Sequence, residues 1–211
     1  LKILIVSNGN LEDICISDIL EKHDLLICAD GGARHLYKQN ILPDIIVGDL
    51  DSIGDKVLNY YKKKEVVFHK FPSEKDKTDT ELAIDYAIEK GATEISLLGV
   101  TGTRLDHTLA NIMLLYDLLN KNIKARIIDS HNEIFMIKNN LEIQNDNKYK
   151  FVSVIPIIND AKKVNIKGFK YETKDIDFKI GTTLGISNEI KEEKGYIDME
   201  DGICLIIKSR D

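Results

Sequence analysis

The apolar run Ile45-Ile46-Val47 ends in Gly48, and Asp49, Asp51 and Asp55 follow almost at once. Three more stretches carry side chains fit for chemistry: Asp30-Gly31-Gly32, the segment around Asp76 and Asp79, and Arg104 with Asp106 and His107. Taken singly, each has an ordinary reading. Asp and Gly are common turn residues. Asp106 suits a helix N-cap, Asp76 a cap or a solvated charge, and His107 a structural role. Taken together they point to metal and phosphate chemistry. Two carboxylates ~4 Å apart repel by roughly 4 kcal/mol at an effective dielectric near 20, so several on one rim call for a cation. All-oxygen donors with no cysteine and little histidine favour Mg²⁺ over Zn²⁺. An ion held there attracts a polyphosphate, whose remaining charge falls to Arg104, Lys75 or Lys77 and the backbone amides of the glycine loops.

The elements around these residues determine whether they meet. Six short apolar runs occur in the first part of the chain: Lys2–Val6, Asp24–Ala29, Asp44–Val47, Glu65–Phe71, Glu94–Gly99 and Lys124–Asp129. Continuous apolar runs of this length suit strands buried on both faces of a parallel sheet. Helical patterns lie between them. Thr78 to Lys90 opens with the capping box Thr78-x-x-Glu81 and stops at Gly91. About His107 to Lys121, the residues Leu109, Ile112, Met113, Tyr116 and Leu119 form a stripe expected to face the core. The alternation predicts a doubly wound α/β domain over residues 1–129. The acids follow its second to fifth strands, at the carboxyl edge where open parallel sheets bind ligands.

Beyond residue 129 the pattern changes to short β-like segments: EIFMIK, YKFVSVIPI, KVNIKGF, TTLGIS, GYIDME and ICLIIK. KNNLEIQNDN and KDIDFKIG read as turn-rich connections between them. Residues 130–211 are therefore expected to form an antiparallel β-sandwich. No Pro- or Ser-rich linker separates the two parts.

Composition narrows the function classes. The chain has 211 residues, 43% hydrophobic and 30% charged, which is globular composition. A formal net charge of −6 argues against nucleic acid as a partner. Cys15, Cys28 and Cys204 are far apart and odd in number, so they read as buried thiols of a reducing, cytoplasmic setting. No apolar run has the roughly 20 residues of a membrane span, and no export signal is expected. No Gly-Lys dipeptide exists for a Walker A loop, and no G-x-G-x-x-G is present.

Five stretches together resemble the thiamine pyrophosphokinase (thiamine diphosphokinase) family: ADGGARHLY (29–37), PDIIVGDLDS (43–52), KDKTDTELA (75–83), GVTGTRLDHTLANI (99–112) and GISNE (185–189). They stand in the family's order across nearly the whole chain. The resemblance implies an α/β domain that binds ATP, a β-sandwich that binds thiamine, and a homodimer that builds the active sites. It implies Mg²⁺-dependent transfer of diphosphate from ATP to thiamine, giving thiamine diphosphate and AMP. Carried over, Asp49, Asp51 and Asp79 hold the metal, and the catalytic set is these three with Asp106. The ATP site takes Asp30, Gly31, Gly32, Lys75, Lys77, Thr101, Gly102, Arg104 and His107. Ser187 and Asn188 meet thiamine. Some family members place a tryptophan in the sandwich to stack on the ligand; this chain has none, and GFKY offers Tyr171 instead. Asp79 and Asp106 both stand as acceptors of the thiamine hydroxyl proton. Two other readings compete: a Mg²⁺-dependent kinase that gives ADP, and a non-catalytic nucleotide or thiamine sensor.

Overall fold

The computed structural model describes residues 1–71, 76–146 and 148–211. The chain divides into two compact units, Leu1–Ser130 and His131–Asp211.

Among the described residues of the first unit six strands alternate with helices. They are β1 (Lys2–Val6), β2 (Leu25–Ala29), β3 (Ile45–Gly48), β4 (Val67–Lys70), β5 (Glu94–Leu98) and β6 (Lys124–Ile128). All their pairings are parallel, in the order β4-β3-β2-β1-β5-β6. The chain thus builds outward from β1 on one side, then returns to the other side for β5. That reversal is the topological switch point, and it opens a crevice outside the carboxyl ends of β1 and β5. The middle strands earn their place by burial on both faces: Ile3, Leu4, Ile5 and Val6 of β1 are wholly buried.

Among the described residues five helices cover this sheet: α1 (Ile16–Leu20), α2 (Ala33–Lys38), α3 (Asp55–Lys63), α4 (Asp79–Glu89) and α5 (Leu105–Asn120). Helix α4 starts where its sequence says. Thr78 is the N-cap, and its hydroxyl accepts the Glu81 N–H at 3.2 Å. The first three helices are short, and their periods are too brief to be read from sequence. Tyr61 of α3 is fully buried, and its hydroxyl lies 3.1 Å from the Ile41 carbonyl oxygen.

The face of α5 differs from the sequence expectation. Asn111, Leu115 and Leu118 are buried, while Leu109 is 61% and Met113 42% exposed. The helix is apolar nearly all round, so periodicity offers more than one stripe. The buried one contains a polar residue, Asn111, which stays satisfied by donating its amide to the Val100 carbonyl at 2.7 Å. Arg104, not Asp106, is the N-cap of α5.

The second unit is antiparallel throughout. One set of strands runs β7 (Asn132–Ile137), β13 (Cys204–Ser209), β9 (Phe151–Pro156); the other runs β11 (Thr173–Phe178), β10 (Ala161–Lys167), β12 (Lys194–Asp198), β8 (Leu141–Gln144). Val152, Val154, Val164, Ile166, Ile197 and Ile206, drawn from both sets, share one core. This is a β-sandwich. Of two segments read as connections, KNNLEIQNDN contains β8 and KDIDFKIG all of β11 but its first residue. TTLGIS, read as a strand, forms none. Among the described residues no helix is long and apolar enough to cross a membrane.

Candidate active site

The acids at the ends of β2 and β3 meet because the backbone breaks the strand rule there. In a regular strand, residues 49 and 51 lie on one face and residue 30 belongs to another chain segment. Here Leu50 takes a left-handed φ of 72°, and the Asp51 N–H donates to Asp49 Oδ1 at 3.2 Å, a tight side-chain-to-backbone turn. Asp30 also has a positive φ, 39°, at the start of the 3₁₀ turn Asp30–Gly32. As a result Asp30, Asp49 and Asp51 each offer one carboxylate oxygen within 4.8 Å of one another.

Asp79, the first residue of α4, flanks the same place. A side-chain carbon on Gly48 would lie 2.8 Å from Asp30 Cβ and 3.2 Å from Asp79 Oδ1, on a backbone with φ 145°. Only glycine fits between these two acids in that conformation.

Asp30 is the strained member. It is 4% exposed, and its Oδ1 is buried with no hydrogen-bond partner among the described residues. Burial pushes its carboxyl above the usual range. The Ser52 hydroxyl donates to Oδ2 and opposes this, the Asp79 charge adds to it, the Gly31 N–H opposes it, and the Asp49 charge adds again. A buried carboxylate with an unspent oxygen beside two others has the donor chemistry of a hard divalent cation site. The residues present therefore fit Mg²⁺.

The loop after β5 lies close by through the turn after β1. Gly9 N–H donates to the Gly99 carbonyl at 2.5 Å, and Asn10 N–H to that of Thr101 at 2.8 Å. Thr101 donates its hydroxyl to Asp129 Oδ2 at 3.1 Å, and Gly102 N–H donates to the Thr108 hydroxyl at 3.2 Å. Arg104 and Asp106 form an exposed ion pair at 2.6 Å. The hydrogen bond from Arg104 holds the Asp106 carboxyl below its usual range. His107 is exposed in the first turn of α5. Gly31 and Gly32 are buried under the turn after β1. Lys77, just ahead of α4, turns along that helix to Asp85 at 2.6 Å and Glu81 at 3.4 Å, rather than into the acidic group. Lys75 lies outside the described residues.

In the second unit, Tyr171 is 63% exposed. Asn188 is buried and both ends of its side-chain amide hydrogen-bond to backbone. Its Oδ1 accepts the Tyr171 N–H at 3.0 Å, and its Nδ2 donates to the Tyr171 carbonyl at 2.7 Å. Asn188 therefore presents Tyr171. Ser187, at φ 57°, gives its N–H to the Ser153 hydroxyl at 3.0 Å and leaves its own hydroxyl exposed to the surroundings.

Sequence reasoning missed several polar residues that build this site. Ser52 bridges Asp30 and Asp51, and a hydroxyl pair joins Ser7 to Thr80. Asp129 anchors Thr101 from the end of β6. The carboxyl-edge rule that picked out the acids would also have picked out Ser7 and Asp129.

Fold and site together define an α/β protein with an acidic, oxygen-lined carboxyl edge whose donors suit a hard divalent cation, followed in sequence by a β-sandwich. The sequence matches the family profile "Thiamin pyrophosphokinase, catalytic domain" over residues 16–127, and "Thiamin pyrophosphokinase, vitamin B1 binding domain" over residues 138–204. The chain belongs to the thiamine pyrophosphokinase family, and is an enzyme of that family. It is 37% identical over 192 residues to thiamine pyrophosphokinase of Bacillus subtilis, covering 90% of each chain. The crystal structure of the thiamine pyrophosphokinase from Bacillus subtilis superposes with a TM-score of 0.93 over 100% of both chains, at 34% identity. That from Geobacillus thermodenitrificans gives 0.89 at 31% identity, over 100% of this chain and 98% of the other.

Proposed function

We propose that this enzyme transfers diphosphate from ATP to the hydroxyethyl oxygen of thiamine, with Mg²⁺, giving thiamine diphosphate and AMP. The observation that carries the reading is the group Asp30, Asp49 and Asp51 with its buried, unpartnered Asp30 Oδ1. The family membership supplies the substrates. When bound, Mg²⁺ neutralises phosphate charge and helps align the triphosphate. The carboxylates Asp30, Asp49 and Asp51 hold it, with Asp79 beside them. Arg104 and the amides of the Gly99–Arg104 loop face phosphate. In the reaction the thiamine oxygen bonds to the β-phosphorus of ATP, and the bond from that phosphorus to the oxygen of the departing AMP breaks. The hydroxyl proton goes to a carboxylate. The Asp106 carboxylate is engaged with the Arg104 guanidinium at 2.6 Å. Asp79 takes that role in this reading. Transfers of this kind depend on positioning and charge neutralisation more than on covalent help. Three free thiols suit a cytoplasmic setting. The homodimer belongs to the same reading, and sedimentation over a concentration series tests it.

Phosphorus NMR of the enzyme with ATP, Mg²⁺ and thiamine tests the proposal. AMP and thiamine diphosphate rise together. Stoichiometric ADP with thiamine monophosphate would make it a γ-phosphoryl kinase, and no turnover would make it a sensor.

Tyr171 is the aromatic face for thiamine in this reading, since its ring is exposed on a backbone fixed by Asn188. A cationic thiazolium over such a ring gains roughly 0.5–2 kcal/mol. Tyr171→Ala is therefore expected to raise the KM for thiamine about 2- to 30-fold, at ~1.4 kcal/mol per tenfold. Tyr171→Phe changes it little, and neither substitution moves the KM for ATP. An unchanged thiamine KM in Tyr171→Ala removes the ring from the site.

A further inference from the structure

The turn Ser7–Asn10 contributes no carboxylate and no cationic side chain, yet it touches the loop after β5, the first turn of α4 and helix α2. It stands at the switch point, between the ends of β1 and β5. On the β5 side it continues as if it were strand. Ser7 N–H donates to Leu98 O at 2.8 Å, Gly9 N–H to Gly99 O at 2.5 Å, and Asn10 N–H to Thr101 O at 2.8 Å. On the acidic side, the Ser7 and Thr80 hydroxyls pair at 2.9 Å, and both residues are buried. Thr80 is the second residue of α4, next to Asp79. From α2, His35 Nε2 lies 2.9 Å from the Gly9 carbonyl oxygen and donates to it. Arg34 Nη2 donates to Asn8 Oδ1 at 2.8 Å.

We propose that Ser7–Asn10 is the positioning element of the site, acting through two separable ties. The Ser7–Thr80 hydroxyl pair places Asp79 against the acids at the ends of β2 and β3. The grip of His35 on Gly9 places the Gly99–Arg104 loop toward the nucleotide. The inference rests on the divalent-ion and ATP reading above. Its physical basis is the division of labour at the start of α4. The Thr78 cap fixes the shape of the first helical turn, whereas a tie to the sheet fixes where that turn sits. Ser7 supplies that tie from the residue directly after β1, a strand buried from Ile3 to Val6 and paired on both sides. His35 does the equivalent for the β5 loop, which has no regular structure of its own beyond Leu98.

Paired substitutions separate the two ties from each other and from plain destabilisation. Thr80→Val keeps the side-chain shape and removes the bond; Thr80→Ser restores it. His35→Leu removes the donor to Gly9, and His35→Gln returns an N–H near the position of Nε2. Two affinities are measured: Mn²⁺ on the metal-free protein by paramagnetic resonance, and ATP without divalent ion by calorimetry. Thr80→Val is expected to weaken Mn²⁺ about 3- to 10-fold, the effect of one lost hydrogen bond, and to leave ATP within about twofold. His35→Leu is expected to do the reverse, about 3- to 10-fold on ATP and within about twofold on Mn²⁺. Thr80→Ser and His35→Gln recover the wild-type values. Unchanged affinities in Thr80→Val or His35→Leu overturn the proposal. So do losses in both affinities that follow a fall in melting temperature, because a merely structural role predicts that. Wild-type protein that binds no Mn²⁺ overturns the ion reading itself, and the proposal with it.

Discussion

Asp51→Asn is expected to lower turnover at least about a hundredfold, the scale of losing one preorganised electrostatic element. The substitution keeps the size of the side chain. It also keeps the Asp51 N–H bond to Asp49 Oδ1, because that bond uses the backbone. What it removes is one of the three carboxylate oxygens gathered within 4.8 Å, and with it one of the negative charges a hard cation would need there. An amide oxygen still points at the site but carries no formal charge. Folding is expected to survive, because in the metal-free protein the change relieves repulsion among neighbouring acids. The check is kcat at saturating ATP, thiamine and Mg²⁺, alongside a metal-free melting temperature no lower than wild type. Activity within about threefold of wild type would remove Asp51 from the machinery.

Gly32→Ala has a large effect of a different kind. The backbone of Gly32 is ordinary right-handed helix, φ −55° and ψ −23°, so alanine meets no conformational obstacle there. The obstacle is contact. A Cβ at this position would lie 2.3 Å from the Val6 carbonyl oxygen and 2.9 Å from its carbon. Both atoms belong to the backbone of β1, at the centre of the sheet, and cannot swing aside. Helix α2 has to move off the sheet, taking the Asp30 turn with it. A loss of about 3 kcal/mol follows, the upper end of ordinary overpacking. For a unit of this size that lowers the melting temperature by about 10 °C. Gly102→Ala serves as the control, since its new carbon meets only Asn10 N at 3.9 Å. It is expected to shift the melting temperature by less than about 2 °C. Equal shifts in the two variants would refute the contact argument.

The central strands were legible because burial on both faces writes itself as an unbroken apolar run: Ile3 to Val6 admits no other reading. The strands β8 and β11 were illegible for the opposite reason. They are the two edges of their sheet, and their residues are largely exposed. Edge strands carry Asp, Asn and Lys for solubility, so Thr173–Phe178 looks like a turn. The buried face of α5 was hidden by an excess of leucines, and by Asn111, a polar residue whose burial is explained only by its tie to Val100. At the site, the acids stood out because carboxylates at strand ends are conspicuous. Ser7, Ser52 and Thr80 did not. Serine and threonine are common everywhere, and their roles come from neighbours about 20 to 70 positions away, which local pattern cannot supply.

Asn188 grips both backbone polar groups of Tyr171, as a neighbouring strand would, with a side chain in place of a strand. The consequence is entropic. An exposed aromatic on a loose loop must surrender backbone freedom when a ligand settles on it, at roughly 1–2 kcal/mol per residue ordered. At Tyr171 that ordering was completed during folding. A flat molecule landing on the ring spends no further backbone freedom there, so more of the stacking energy survives as affinity.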